Sequence, residues 1–291
     1  MTDIIRIVPS AGPKSWVLAL HCSLGSGRQW ARLAAALDGR HQLFAPDLVR
    51  SSGQQPPACL PTTLADEVHW LGEAVAQRRG PIHLVGHSYG GAIAFRAATR
   101  SAFAHRVRSL TLIEPVLPTL LLDSEADRRL HDRFRELAEE LYADLWNGQA
   151  MEAVEKFVSF WNGSGPAEPL PAETRLRMIM DAEQLAFNFS AVLTEDDVAA
   201  AASGIRVPTL LMSGGLSPYV AQRTVARLAG LIAGAHARHF PDAGHMLPKT
   251  HRDAVNAQII RHIRRADQSA AAGPRPCERA GQDQPNLSDA I

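Results

Sequence analysis

Residues 82 to 97 read Ile82-His83-Leu84-Val85-Gly86-His87-Ser88-Tyr89-Gly90-Gly91-Ala92-Ile93-Ala94-Phe95-Arg96-Ala97. Ile82 to Val85 is a short apolar run opened by Gly80-Pro81 and closed by glycine, the pattern of a buried strand. Ala92, Ile93, Ala94 and Ala97 continue as a helix of small residues. Between the two lies GxSxG, at Gly86, Ser88 and Gly90, with Gly91 behind it. A serine on so sharp a strand-to-helix turn is held in strained backbone geometry, and its neighbours must be small. Glycines at 86, 90 and 91 meet that demand. The turn exposes the hydroxyl, and the first N–H groups of the helix point toward negative charge that develops beside it.

Working outward, strand and helix signals alternate. Trp16 to Leu20 is an apolar run ended by a polar, glycine-containing loop; Trp30, Leu33 and Leu37 follow at helical spacing. Leu43-Phe44-Ala45 stops at Pro46-Asp47 as a second strand. Leu64, Val68, Leu71 and Val75 share one helical face. Beyond the serine, Leu110 to Ile113, Thr209 to Met212 and Ala237 to Phe240 read as strands, and Val255, Ile259 and Ile263 as a last helix. Strands alternating with helices imply an α/β fold, a mostly parallel sheet flanked by helices.

Residues 117–204 break the alternation. Leu130, Phe134, Leu137 and Leu141 recur as on an amphipathic helix; Val154, Phe157, Val158 and Trp161 mark a second, and Glu173 to Leu193 a third helical region. This predicts an all-helical cap insertion between core segments 1–116 and 205–265. From 266 to 291 the hydrophobic period fades and a disordered tail is expected.

Thirty basic and thirty acidic side chains cancel, which excludes a strong pull toward nucleic acid or an anionic membrane. No apolar run approaches the length of a membrane span, and no basic-then-apolar leader is seen. Cys22, Cys59 and Cys277 form no CxxC pair, so a reducing, cytoplasmic location is expected. No metal-ligand spacing of the HExxH kind occurs, and no cofactor is expected.

His21-Cys22-Ser23-Leu24-Gly25, the segment Gly86 to Gly91, and Asp242-Ala243-Gly244-His245 together resemble the α/β-hydrolase superfamily over residues 14–264. The resemblance makes Ser88 the nucleophile and His245, in its Gly-His turn after the last strand, the general base. It also makes the backbone N–H groups of Ser23 and Tyr89 the oxyanion donors. The family usually carries its acid after the strand that ends near Met212, yet no Asp or Glu lies between Asp197 and Asp242. Glu114, at the end of the strand after the nucleophile helix, is the expected replacement. It keeps the Ser, acid, His order of the fold, and some haloalkane dehalogenases of the superfamily place their acid at the corresponding point. Asp242 is the competitor, and a dyad supported by water is a further alternative.

The expected chemistry is acyl transfer to water through an acyl-serine, on a small uncharged ester, lactone or thioester. Residues 184–194 carry no charged side chain; of Phe157, Phe160, Trp161, Met178, Met180, Leu185, Phe187 and Phe189, most are expected to pack helix to helix and a minority to line an apolar pocket above Ser88. Carbon–carbon bond hydrolysis of a diketone, and a non-catalytic small-molecule receptor on the same fold, are the alternatives.

Overall fold

The computed structural model describes residues 15–48, 63–163 and 170–272. Six strands form one parallel sheet: β1 (Trp16–Leu20), β2 (Gln42–Phe44), β3 (Ile82–His87), β4 (Val107–Ile113), β5 (Thr209–Gly214) and β6 (His236–Phe240). They lie in the order β2-β1-β3-β4-β5-β6. The strand pairings are parallel throughout, so each connection must cross over a face of the sheet, and helices supply the crossovers.

Side chains alternate across a strand, and this divides the core in two. Leu18, Leu20, Leu84, Leu110, Leu112 and Leu211 point to one face. There they meet α2 (Leu64–Ala76), α3 (Tyr89–Arg100) and α9 (Tyr219–Leu231). Val17, Ala19, Val85, Ile113, Leu210 and Met212 point to the other. That face is covered by Trp30, by Leu33 of α1 (Ala31–Ala36), and by Val255, Ile259 and Ile263 of α11 (Arg252–Ala272). A Thr63–Asp66 capping box starts α2, which explains why that helix begins where it does.

Among the described residues, every element between β4 and β5 is helical: a 3-10 turn at Pro118–Asp123, then α4 (Glu125–Trp146), α5 (Ala150–Asn162), α6 (Ala172–Met180), α7 (Gln184–Leu193) and α8 (Val198–Ser203). The third helical region is therefore two helices, parted at Asp181–Glu183. Aromatic rings hold α4, α5 and α7 together: Phe134 stacks on Phe189 with centroids 4.9 Å apart, and Phe157 meets Phe189 at 6.3 Å. The helix α6 buries none of its residues, so Met180, expected among the packed apolar residues of the insertion, is 84% exposed.

The tail boundary needs a correction. Helix α11 continues past residue 265 to Ala272. What holds its last turns is polar: Asp267 accepts from His41 Nε2 at 2.8 Å, from Arg108 Nη1 at 3.1 Å and from Ser15 Oγ at 3.2 Å. An apolar period cannot register such anchors. The remainder of the expected tail, 273–291, lies outside the described residues. A short helix, α10 (Leu247–Thr250), leads from the His245 turn into α11. No helix among the described residues is long and apolar enough to cross a membrane.

Candidate active site

The carboxyl ends of β3, β4 and β5 and the turn after β6 converge, as expected where ligands meet a parallel sheet. Ser88 follows β3 with φ 57° and ψ −120°, and Glu114 follows β4 with φ 44°. Both are left-handed positions that a side chain rarely adopts, and strain of this kind concentrates at functional sites. Close packing enforces the serine turn. A Cβ on Gly86 would lie 2.3 Å from the Gly90 carbonyl oxygen, and one on Gly90 would lie 2.4 Å from the His21 carbonyl oxygen. The second contact presses the His21 loop against the first turn of α3.

His245 bridges the two strained residues. Its Nε2 lies 2.9 Å from Ser88 Oγ and its Nδ1 2.6 Å from Glu114 Oε2. A carboxylate only accepts, so Nδ1–H donates to Glu114 and Nε2 is left to accept the serine proton. The other carboxylate oxygen, Oε1, accepts the Gly214 backbone N–H at 2.7 Å. The end of β5, where the superfamily usually carries its acid, here supplies a donor that orients an acid on β4. All three side chains are buried. Asp242 is exposed, and both nitrogens of His245 are already taken by other groups.

Two histidines that flank the line have supporting places. His21 donates from Nδ1 to the Cys22 carbonyl at 2.7 Å and accepts the Leu48 N–H at Nε2, so it shapes its loop; burial holds its pKa below the ordinary value. His87 donates from Nε2 to the carbonyl oxygen of His245 at 2.9 Å, and its Nδ1 faces Gln29 Nε2 at 3.2 Å. It therefore holds the turn that carries the base. Burial, reinforced by neighbouring His245, keeps its pKa well below the ordinary value, so it remains a neutral strut. The Cys22 thiol is buried and pushed up to about 11 by desolvation. It stays protonated near neutral pH and is no rival nucleophile.

Tyr89 opens α3, so its N–H is among the helix's unpaired first-turn donors. Ser23 stands in the loop packed on that turn. Tyr89 thus adjoins Ser88 in sequence, and Ser23 follows Cys22 in the loop whose His21 carbonyl lies against Gly90.

Two features of the site carry no local signature. The Trp161 indole, from α5, stacks on the His245 imidazole with centroids 4.1 Å apart and planes 23° from parallel. The aromatic cluster of the insertion therefore ends on the base. Pro115, Val116, Phe134, Trp161, Val220 and Thr224 line a narrow crevice there. The second feature is Glu67 on α2, buried beside the nucleophile turn, whose Oε1 accepts the Tyr89 hydroxyl at 3.0 Å.

Desolvation raises Glu67 to about 7 from the usual 4.5, against the opposing effect of the Tyr89 hydrogen bond. Between those values the folded chain keeps a proton that the unfolded chain releases, so Glu67 lowers stability as pH rises through this window. Glu67→Gln keeps an acceptor for Tyr89 and removes the charge. Urea unfolding is expected to show a gain on the order of 3 kcal/mol over wild type at about pH 8. The gain should vanish below pH 4.5. A difference independent of pH would contradict this reading.

The general family described as the alpha/beta hydrolase fold matches residues 15–251. The chain belongs to the α/β-hydrolase fold family. This α/β hydrolase is 35% identical over 138 residues to the lipase LipV of Mycobacterium tuberculosis, a match spanning 47% of the chain and 49% of that protein. It is 25% identical over 271 residues to the carboxylesterase YbfK of Bacillus subtilis, covering 89% of the chain and 83% of the relative. Among solved structures, an esterase from Exiguobacterium antarcticum superposes with a TM-score of 0.66 at 16% identity, over 87% of this chain and 93% of that one.

Proposed function

We propose that the protein is a serine esterase that cleaves small uncharged esters, lactones or thioesters by way of an acyl-serine. The observation that supports this most is the unbroken line from Glu114 through His245 to Ser88, with spacings of 2.6 and 2.9 Å. In this reading Ser88 Oγ attacks the acyl carbon while His245 Nε2 takes its proton. Glu114 fixes the imidazole tautomer and stabilises the imidazolium. The backbone N–H groups of Ser23 and Tyr89 hold the oxyanion, a pair worth several kcal/mol, since losing one donor typically costs about 2.7–4 kcal/mol. His245 then gives the proton to the departing alkoxide or thiolate, and water repeats the cycle on the acyl-enzyme.

The preference for uncharged substrates rests on the crevice: aromatic and aliphatic side chains surround it, and a charge there would be desolvated without a partner. Ser88 and His245 are each only 3% exposed, so a substrate must shift the aromatic cover of the insertion to reach them. The insertion then acts as a cap, and the partner of the protein is its small-molecule substrate, in a reducing, cytoplasmic setting.

A fluorophosphonate probe should label wild type at Ser88, and p-nitrophenyl esters should be hydrolysed with an optimum at short acyl chains. Labelling without hydrolysis of any ester in the series would turn the assignment toward carbon–carbon bond cleavage. No labelling at all would leave a receptor on a hydrolase fold.

A further inference from the structure

At the amino end of β3, a second group of chemically capable side chains meets. His83 is the second residue of that strand and stands five positions before Ser88, about 16 Å along an extended chain. Its ring is fully buried, with Nδ1 held 2.8 Å from the Ser109 hydroxyl. That contact aims Nε2 at Asp267, which lies 3.3 Å away, yet Nε2 makes no hydrogen bond of acceptable geometry. On the other side of the same carboxylate is His41 Nε2, at 2.8 Å. The ligand atoms of His41, His83 and Asp267 all lie within 4.8 Å of one another.

We propose that His41, His83 and Asp267 form a binding site for a borderline divalent cation such as Zn²⁺. Two imidazole nitrogens and a carboxylate are a donor set that zinc accepts, at bond lengths of about 2.0–2.2 Å with water as the fourth ligand. Tetrahedral bonds of that length set donor atoms about 3.4 Å apart. The imidazole nitrogens stand 2.8 and 3.3 Å from the carboxylate, and no two ligand atoms are more than 4.8 Å apart, so small side-chain movements complete the shell. His41 moves its proton from Nε2 to Nδ1 on binding, and Asp267 turns Oδ2 to the metal. Oδ1 keeps its hydrogen bond from Arg108, 3.1 Å away. Ser109 on His83, and Ser15 and Arg108 on Asp267, form the outer contacts that orient such ligands. The Arg108 charge beside Asp267 opposes a cation and weakens its binding. The site clips the last turns of α11 to the sheet and has no part in the chemistry at Ser88. No ligand spacing in the sequence signals it, because its members stand at 41, 83 and 267.

Zn²⁺ titrated calorimetrically into the chelator-treated full chain should bind as one equivalent and raise Tm, since it binds the folded state alone. His41→Gln, at a partly exposed position, and Asp267→Asn should each weaken binding at least about tenfold, the equivalent of about 1.4 kcal/mol. Esterase activity should be unaffected by His41→Gln. Loss of binding in either variant with an unchanged far-UV spectrum supports the site. No binding to wild type, or wild-type affinity retained in both variants, overturns it and leaves the cluster an ion-paired clamp.

Discussion

Ser88→Ala is expected to lower kcat on p-nitrophenyl esters by about a millionfold, to a residual rate supplied by oxyanion donors and binding alone. The size follows from the geometry. His245 Nε2 has a single acceptor task, 2.9 Å from Ser88 Oγ, and no other nucleophile stands ready, because the Cys22 thiol is pushed up to about 11. Alanine occupies the same left-handed backbone position at no greater steric cost than serine, so thermal unfolding should be nearly unchanged. Fluorophosphonate labelling should disappear together with turnover. An alanine variant that keeps turnover within tenfold of wild type would remove Ser88 from the mechanism.

Glu114→Gln should cost about 10⁴-fold in kcat, for a different reason. The amide oxygen can still accept the Gly214 N–H, now at 2.7 Å from Oε1. The amide nitrogen then faces His245 Nδ1 and donates to it. That forces the imidazole proton onto Nε2, where it blocks acceptance of the serine proton. The side chain keeps its shape and its buried contacts, so the loss reports tautomer and charge rather than folding. Circular dichroism alongside the kinetics checks this. Near wild-type turnover in Glu114→Gln would mean that the base works as a dyad.

Much of this was legible in the residues. The turn around Ser88 is announced by three glycines within six positions, because steric exclusion there acts between near neighbours. The strands could be read because burial on both faces leaves short apolar runs with glycine or proline at their ends. His245 stands out through its short turn after the last strand and the resemblance built on it. Glu114 needed the resemblance and an absence: no carboxylate follows β5, so one had to come from another strand end. Contacts between distant segments left no trace of this kind. Nothing near Trp161 says that its ring will rest on an imidazole 84 positions away. The same is true of His87 as a strut for the His245 turn, and of the polar anchoring of α11 through Asp267. Met180 is exposed against expectation because a methionine at helical spacing looks the same on an outer face as on an inner one.

The hydrogen bonds that complete the site join residues 157 and 131 positions apart. They form across a sheet whose strands are all parallel. Closing loops of that length carries a large entropic cost before any contact repays it, and chains rich in such pairings fold slowly. The nucleophile turn can take shape early, from neighbours, but its base arrives only with the last strand and the helix beyond it. The aromatic cover ending on that base must also be in place. On the proposed function, the chain would therefore stay inert toward esters during synthesis until the segment carrying His245 and the helix beyond it has docked. Recovery of activity after dilution from denaturant marks the end of folding, later than the return of helix or of compactness.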